Sequence, residues 1–160
     1  MQKITIRDIQ KFKDQRIPFA TVTAYDYVSA HIADAVEIPL LLVGDSAAMV
    51  VYGMDTTIPI SMEEMIFLVR AVCRGSNRSL VVADMPFMSY QASVEDAVRN
   101  AGRFVKEGGA EAVKLEGGRA YTAQIKAIID AGIPVMGHIG LLPQSYHLSS
   151  GYRIQGKTKL

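Results

Sequence analysis

Short apolar runs alternate along the chain with longer segments in which apolar residues recur every three or four positions. The runs predict strands over residues 19–24, 40–44, 79–84, 112–115 and 133–138. Apolar runs without polar alternation are typical of strands buried on both faces, as in a parallel sheet covered by helices. The pattern therefore predicts an α/β protein with five parallel strands.

The segments between these runs have a helical period. They predict helices over residues 6–13, 27–36, 62–74, 94–108 and 120–131. Short polar residues stand at the N-cap position of four of these helices: Thr5, Asp26, Ser61 and Ser93. The connection between Gly44 and Ser61 is unusually long. Residues 139–160 have no convincing period and are predicted to be a loop or an interrupted active-site segment.

Strict alternation of strands and helices implies right-handed crossovers and a parallel sheet. Two layouts fit this order, an open doubly wound sheet and a (β/α)8 barrel. The glycine fingerprint of a dinucleotide-binding sheet is absent, because Ala24-Tyr25-Asp26 follows the first strand. Polar residues close consecutive strands, which suits the mouth of a barrel. We therefore predict a barrel, of which about five of the eight strands are present.

Three of the apolar runs end on a carboxylate, namely Asp45, Asp84 and Glu116. The carboxyl ends of neighbouring parallel strands share one edge of a sheet, so these oxygens could converge as hard cations such as Mg²⁺ require. Successive side chains of a strand point to opposite faces of the sheet. Lys114 and Glu116 therefore share one face of their strand, and Asp84 shares a face with Val82 in the preceding strand. With this alternation, the carboxylates at the strand ends can point inward and meet above an apolar barrel interior.

Each of these residues also has an ordinary structural interpretation. An Asp after a strand is often a helix cap, although Ser61 and Ser93 are better caps for the helices that follow. Lys114 is harder to explain in this way, because a buried ammonium needs a carboxylate or an anionic ligand as partner. The other candidates could be turn, surface or core residues: Ser46, Glu116 and His138.

The composition is that of an ordinary globular domain, with 49% hydrophobic and 21% charged residues among 160. Seventeen basic and 16 acidic residues give a net charge of +1, so we expect no nucleic-acid partner. The single cysteine, Cys73, excludes an internal disulfide and suits a reducing compartment. No signal peptide and no apolar stretch of about 18 residues is found. We expect a soluble cytoplasmic protein without a membrane partner.

At these motifs the sequence resembles the ketopantoate hydroxymethyltransferase family. The resemblance covers nearly the whole chain, with its motifs in order and at family spacing. The matching stretches are residues 23–26, 42–46, 52–60, 81–87, 112–118 and 135–144.

The resemblance implies a (β/α)8 barrel of the phosphoenolpyruvate/pyruvate type that binds Mg²⁺ and forms a homo-oligomer. It places Asp45, Asp84 and Glu116 on the metal-site acids. It makes Asp45, Ser46, Asp84 and Lys114 substrate-binding residues, with His138 as an auxiliary polar residue. The family's general base is a glutamate after a later strand, and this chain has no counterpart of it.

The implied reaction adds a hydroxymethyl group to 3-methyl-2-oxobutanoate. The 2-oxo acid chelates the metal, which stabilises the enolate, and Lys114 adds positive charge beside it. The enolate then attacks the methylene group carried by methylene-tetrahydrofolate, and the product is ketopantoate.

Two other functions remain open at this point. One is a phosphoenolpyruvate mutase or isocitrate lyase type of magnesium enzyme that acts on another 2-oxo acid without folate. The other is a non-catalytic module that binds a metal or keto acid. Five barrel strands alone would leave unpaired sheet edges. We therefore expect that these residues are part of a longer chain, a damaged copy of the enzyme, or half of a barrel that needs a complementary polypeptide. Residues 149–160, with Arg153, Lys157 and Lys159, would then be an interrupted active-site loop or a frayed terminus.

Overall fold

The computed structural model describes residues 2–156, in which strands and helices alternate around a parallel sheet. The strands are β1 (Thr21–Thr23), β2 (Leu40–Val43), β3 (Leu80–Asp84), β4 (Ala112–Glu116) and β5 (Val135–His138). The α-helices are α1 (Ile6–Asp14), α2 (Tyr27–Ala35), α3 (Ala47–Val50), α4 (Met62–Gly75), α5 (Val94–Arg103) and α6 (Thr122–Asp130). Shorter helical turns cover Phe104–Gly108 (π), Arg119–Tyr121 (3-10) and Pro143–Ser145 (3-10).

The order of the strands decides between the two layouts. Each strand pairs in parallel with the next one along the chain, so that the sheet order is β1-β2-β3-β4-β5. A doubly wound sheet reverses its strand order at a switch point, whereas a barrel adds its strands in sequence. The described residues therefore form five consecutive strands of a barrel-type sheet, of which β1 to β4 are each followed by an α-helix.

The two faces of this sheet contain separate apolar clusters. On the side that would line a barrel, Leu40, Leu80, Val82 and Ala112 are buried together, and Ile9 of α1 packs against them. The opposite face meets the helices and forms the larger core, with residues such as Leu41, Val81, Val113 and Leu115. The alternation predicted for β3 and β4 is confirmed, because Val82 and Asp84 share the inner face while Val81 and Ala83 pack against helices.

The helices begin where the N-cap residues predict. The Asp26 carboxylate accepts a hydrogen bond from the backbone N–H of Ser29 (2.9 Å), which opens α2. At the start of α4, Ser61 Oγ accepts from Glu64 N (3.2 Å) and Glu64 Oε2 accepts from Ser61 N (2.8 Å), the reciprocal pair of a capping box.

Two stretches have a conformation that was not predicted. The helix predicted over residues 94–108 covers this range, but it is α-helical only to Arg103 and continues as the π-helical turn to Gly108, after which Gly109 adopts a φ of 84°. The long connection after β2 contains the short helix α3, for which no element was predicted. That four-residue helix has too few positions to show a period in the sequence.

A carboxylate at the amino-terminal edge of the sheet fixes the turn between α4 and β3. Asp34, near the end of α2, accepts hydrogen bonds from the backbone N–H groups of Asn77 (3.1 Å), Arg78 (2.9 Å) and Ser79 (2.8 Å). The hydroxyl of Ser76 donates to the same carboxylate at 2.9 Å. This cluster ties α2 to the start of β3, at the end of the sheet opposite to the carboxylates predicted to form a site.

After β5 the chain continues through the 3-10 turn Pro143–Ser145. Lys157 and Lys159, assigned above to an interrupted active-site loop, lie outside the described residues. Within residues 2–156 no helix is both long enough and apolar enough to cross a bilayer.

Candidate active site

The register of the sheet brings the polar ends of β3, β4 and β5 together. Asp84 is paired with Lys114, and Glu116 with His138, so these four side chains are neighbours on the inner face. Lys114 Nζ lies 2.8 Å from Asp84 Oδ1 and 4.0 Å from Glu116 Oε1. His138 Nδ1 lies 3.2 Å from Glu116 Oε1 and 3.4 Å from Lys114 Nζ. The predicted partner of the buried lysine is therefore a neighbouring carboxylate.

The turn after β2 adds Asp45 to this group. The backbone N–H of Asp45 donates to Asp84 Oδ2 at 3.3 Å. A Cβ on the preceding residue, Gly44, would lie only 2.6 Å from Ser46 Oγ, so glycine lets the chain turn tightly at this point. Ser46 Oγ is within 2.8 Å of the hydroxyl of Tyr25, which follows β1. All of the predicted site residues lie at this edge of the sheet.

Two residues of the site were not recognised in the sequence as functional candidates. Gln144, in the segment after β5, reaches both Asp45 and Glu116, and the fully buried Tyr90 bonds to the backbone of Glu116. Gln144 ends the last of the matching family stretches, which was the only signal for it. Tyr90 lies in an irregular loop, where neither a period nor a strand end could single it out.

The site concentrates charge away from water. Asp45, Asp84 and Glu116 are each no more than 3% exposed, and Lys114 is 8% exposed. Burial raises the pKa of Asp84, and the neighbouring Asp45 adds to that rise, while the Lys114 ammonium opposes it. Burial also raises the pKa of Glu116, against the hydrogen bond from Gln144 N and the charge of Lys114.

These residues fit a divalent cation in charge and donor type. Three carboxylates and one ammonium leave two negative charges in the buried group when all are ionised. Among the described residues, the buried Asp84 Oδ1 faces the Lys114 ammonium at 2.8 Å and has no further hydrogen-bond donor. Carboxylate oxygens are the ligands that Mg²⁺ prefers. Within residues 2–156, however, no three His, Cys, Asp or Glu side chains are close enough to hold one ion directly.

The fold of the chain is similar to that of solved barrel enzymes. A solved 2,3-dimethylmalate lyase, described as a member of the PEP mutase/isocitrate lyase superfamily, superposes with a TM-score of 0.63 at 18% identity, over 82% of this chain and 51% of that one. A phosphonopyruvate hydrolase, solved in complex with oxalate and Mg²⁺, superposes with a TM-score of 0.69 at 14% identity. The superposition covers 94% of this chain and 56% of the hydrolase chain. The chain therefore has the (β/α)8-barrel fold of this superfamily, represented by five of its strands.

The sequence comparisons identify the family. Residues 3–160 match the ketopantoate hydroxymethyltransferase family. The 3-methyl-2-oxobutanoate hydroxymethyltransferase of Carboxydothermus hydrogenoformans is 56% identical over 157 residues, which are 98% of this chain and 57% of that protein. The enzyme of the same name from Thermobifida fusca is 53% identical over 158 residues, which are 99% of this chain and 56% of that protein.

The chain belongs to the ketopantoate hydroxymethyltransferase family, which is a family of transferase enzymes. The predicted family is thus confirmed, and the match does not favour a mutase or lyase. The chain spans little more than half of the length of these relatives.

Proposed function

We propose that the intact protein transfers a hydroxymethyl group from methylene-tetrahydrofolate to 3-methyl-2-oxobutanoate through an enolate, giving ketopantoate. The observation that carries this proposal is the buried group of Asp84, Lys114 and Glu116, with Asp45 beside it, at the carboxyl ends of β2, β3 and β4. The names of the relatives, which are hydroxymethyltransferases acting on this keto acid, supply the substrate.

Mg²⁺ is the cofactor that this donor set fits best, and when bound it would supply positive charge to the keto and carboxylate oxygens of the substrate. Asp45 and Asp84 would hold it directly, because both carboxylates are buried next to each other at the ends of β2 and β3. Glu116 would complete the predicted acidic set, with its carboxylate facing His138 and Gln144 N. The phosphonopyruvate hydrolase that shares this fold was solved in complex with oxalate and Mg²⁺, which is compatible with a magnesium-dependent enzyme.

Lys114 has the central role among the side chains of this site. Its ammonium lies on the inner face, where a substrate anion above Asp84 would meet it. There it would stabilise the negative charge that develops when the proton leaves C3 of the keto acid. Ser46, with its hydroxyl oriented by Tyr25, would donate to the substrate carboxylate, and His138 would hold Glu116 in place.

The proton-abstracting base is assigned to a residue outside these five strands. Asp84 already faces the Lys114 ammonium, and Glu116 already accepts a hydrogen bond from Gln144 N. The enolate carbon forms a bond to the methylene carbon of the folate, and both carbon–nitrogen bonds of that carbon break. Water supplies the hydroxyl group, and the two folate nitrogens take up the proton from C3 and the remaining proton of the water. Homo-oligomer formation is also proposed, since Val28 and Ile32 on one face of α2, and Val36 directly after this helix, are each 60% or more exposed. Cytoplasmic localisation stays a prediction.

Exchange at the reacting carbon tests the reaction. The intact protein with Mg²⁺ in D₂O should exchange the C3 proton of 3-methyl-2-oxobutanoate, as followed by NMR, and should form ketopantoate only when methylene-tetrahydrofolate is added. Lys114→Met should slow exchange by about 10²–10³-fold, as expected for the loss of one charge-stabilising group.

Lys126→Met is the matched control, because the Lys126 side chain is 74% exposed and lies on the outer helix α6. It should exchange at the rate of the unaltered protein. Folate-independent turnover of a phosphonate or of isocitrate, or equal exchange in both lysine variants, would overturn the proposal.

A further inference from the structure

Gln144 is a buried amide placed between carboxylates that come from different strands. It is 6% exposed, although it belongs to the segment after β5. Its Nε2 donates to Asp45 Oδ2 and to the backbone carbonyl oxygen of Met85, both at 2.9 Å. Its backbone N–H donates to Glu116 Oε2 at 3.0 Å. One residue therefore contacts the ends of β2, β3 and β4.

The orientation of this amide is fixed by its surroundings. Its Oε1 faces two donors, the hydroxyl of Tyr90 at 2.9 Å and Nε2 of Gln91 at 3.0 Å. If the amide were rotated by 180°, oxygen would face the carboxylate of Asp45 and the carbonyl of Met85, while nitrogen would face the Gln91 amide. Only one orientation satisfies all four side-chain contacts, so Nε2 must point at Asp45.

The contact to Tyr90 connects Gln144 to the backbone of β4 as well. The Tyr90 hydroxyl accepts from Glu116 N at 3.1 Å and lies 3.0 Å from Glu116 O. Movement of Gln144 would therefore disturb both the Glu116 carboxylate and the hydroxyl that holds the end of β4. Such networks of buried hydrogen bonds act cooperatively, because each member fixes its neighbours.

We infer that Gln144 is a positioning residue: it orients the Asp45 carboxylate through its side chain and the Glu116 carboxylate through its backbone, and so arranges both for cation binding. The inference rests on the proposed function in one respect, namely that the site binds Mg²⁺. A partner that fixes the orientation of a ligand typically contributes about 10–100-fold to metal affinity.

Gln144→Met tests this role, since methionine has a similar length but can neither donate to Asp45 nor accept from Tyr90. In the intact protein, calorimetry should show Mg²⁺ binding weakened by about 10–100-fold. Hydrogen exchange should show faster exchange at the amides of residues 141–149. Asn100→Ala is the control. Asn100 Nδ2 donates to Ser89 O (2.7 Å), which precedes Tyr90 in the connection between β3 and α5, and Asn100 contacts no carboxylate of the site. It should leave Mg²⁺ affinity unchanged.

Tyr90→Phe provides a second test if the methionine variant does not fold. It keeps the Nε2–Asp45 contact and removes the hydroxyl that donates to Gln144 Oε1 and accepts from Glu116 N. Mg²⁺ affinity should fall.

The possible results separate the two proposals. Unaltered protein that binds no Mg²⁺ would overturn the metal-dependent function and, with it, the role of Gln144 in arranging the carboxylates for cation binding. Unaltered Mg²⁺ affinity in both Gln144→Met and Tyr90→Phe would overturn the positioning role and leave the proposed function intact. Equal loss of affinity in Asn100→Ala would also overturn it, because general loosening of the loop would then suffice.

Discussion

Replacing Asp34 by alanine should destabilise the protein, because this carboxylate closes the turn between α4 and β3. Asp34 Oδ1 accepts from Arg78 N (2.9 Å), Ser79 N (2.8 Å) and Ser76 Oγ (2.9 Å), and Asp34 Oδ2 accepts from Asn77 N (3.1 Å). Alanine removes all of these acceptors at once. The turn would then have to rearrange or leave backbone donors without a partner.

The size of the destabilisation by Asp34→Ala depends on which of the hydrogen-bond donors could find another partner. The amide of exposed Asn77 can bond to water, and the hydroxyl of Ser79 can bond to the carbonyl oxygen of Ile38 at 2.6 Å. The amides of buried Ser79 and half-buried Arg78 have less access to water. Hydrogen bonds to a charged group contribute about 1.5–3 kcal/mol each, so for a partly exposed acceptor we expect a loss of about 2–4 kcal/mol.

The loss should also depend on pH. Burial of Asp34 raises its pKa, but the hydrogen bonds from Ser79, Arg78 and Ser76 outweigh it and lower the pKa below the usual value near 3.8. A group whose pKa is lower in the folded state stabilises the protein above the unfolded pKa. This contribution is lost as the pH falls below about 4. Asp34→Asn, which cannot ionise, should therefore approach the stability of the unaltered protein as the pH falls.

Urea unfolding of the intact protein at pH 7 and near pH 3.5 measures both effects. Asp130→Ala is the control, because Asp130 is an exposed carboxylate at the end of α6 and should change stability by less than about 0.5 kcal/mol. The reasoning is refuted if Asp34→Ala unfolds like this control, or if the difference between the unaltered protein and Asp34→Asn is the same at both pH values.

Two further changes test the site and the packing behind it. Asp84→Ala should weaken Mg²⁺ binding by more than the roughly 10–100-fold expected for an indirect partner, because we assign Asp84 as a direct ligand; unchanged affinity in calorimetry would show that the assignment is wrong. Gly75→Ala should destabilise the protein by about 1–3 kcal/mol in urea unfolding, since an added Cβ would clash with the backbone oxygen of Tyr27 and would lie 2.9 Å from Ala30 Cβ. A neutral result would contradict the close packing of α4 on α2.

The sheet could be predicted from the sequence because its signals are local. The apolar runs of β2, β3 and β4 have no helical period, and short polar residues cap the helices around them. Convergence of Asp84, Lys114 and Glu116 follows once the strands are parallel and adjacent, since alternation along a strand already fixes their face. Thus the fold and most of the candidate site depend on patterns that span only a few residues.

Features that depend on contacts between distant segments were not predictable in this way. Gln144 reaches Asp45 across 99 residues of sequence, from a segment without a period. Val105 fits the helical period of a core position but is 37% exposed, because α5 ends two residues earlier and the π-helical turn changes the direction of its side chains. In both cases tertiary packing, and not local preference, determines the conformation.

The most direct test of the central claim is a calorimetric titration of the intact protein with 3-methyl-2-oxobutanoate, in the presence of Mg²⁺ and again with a chelator. If the strand-end carboxylates and Lys114 hold a 2-oxo acid together with a divalent cation, the keto acid should bind with Mg²⁺ and should not bind measurably once the metal is removed. Equal affinity for the keto acid under both conditions would contradict the account.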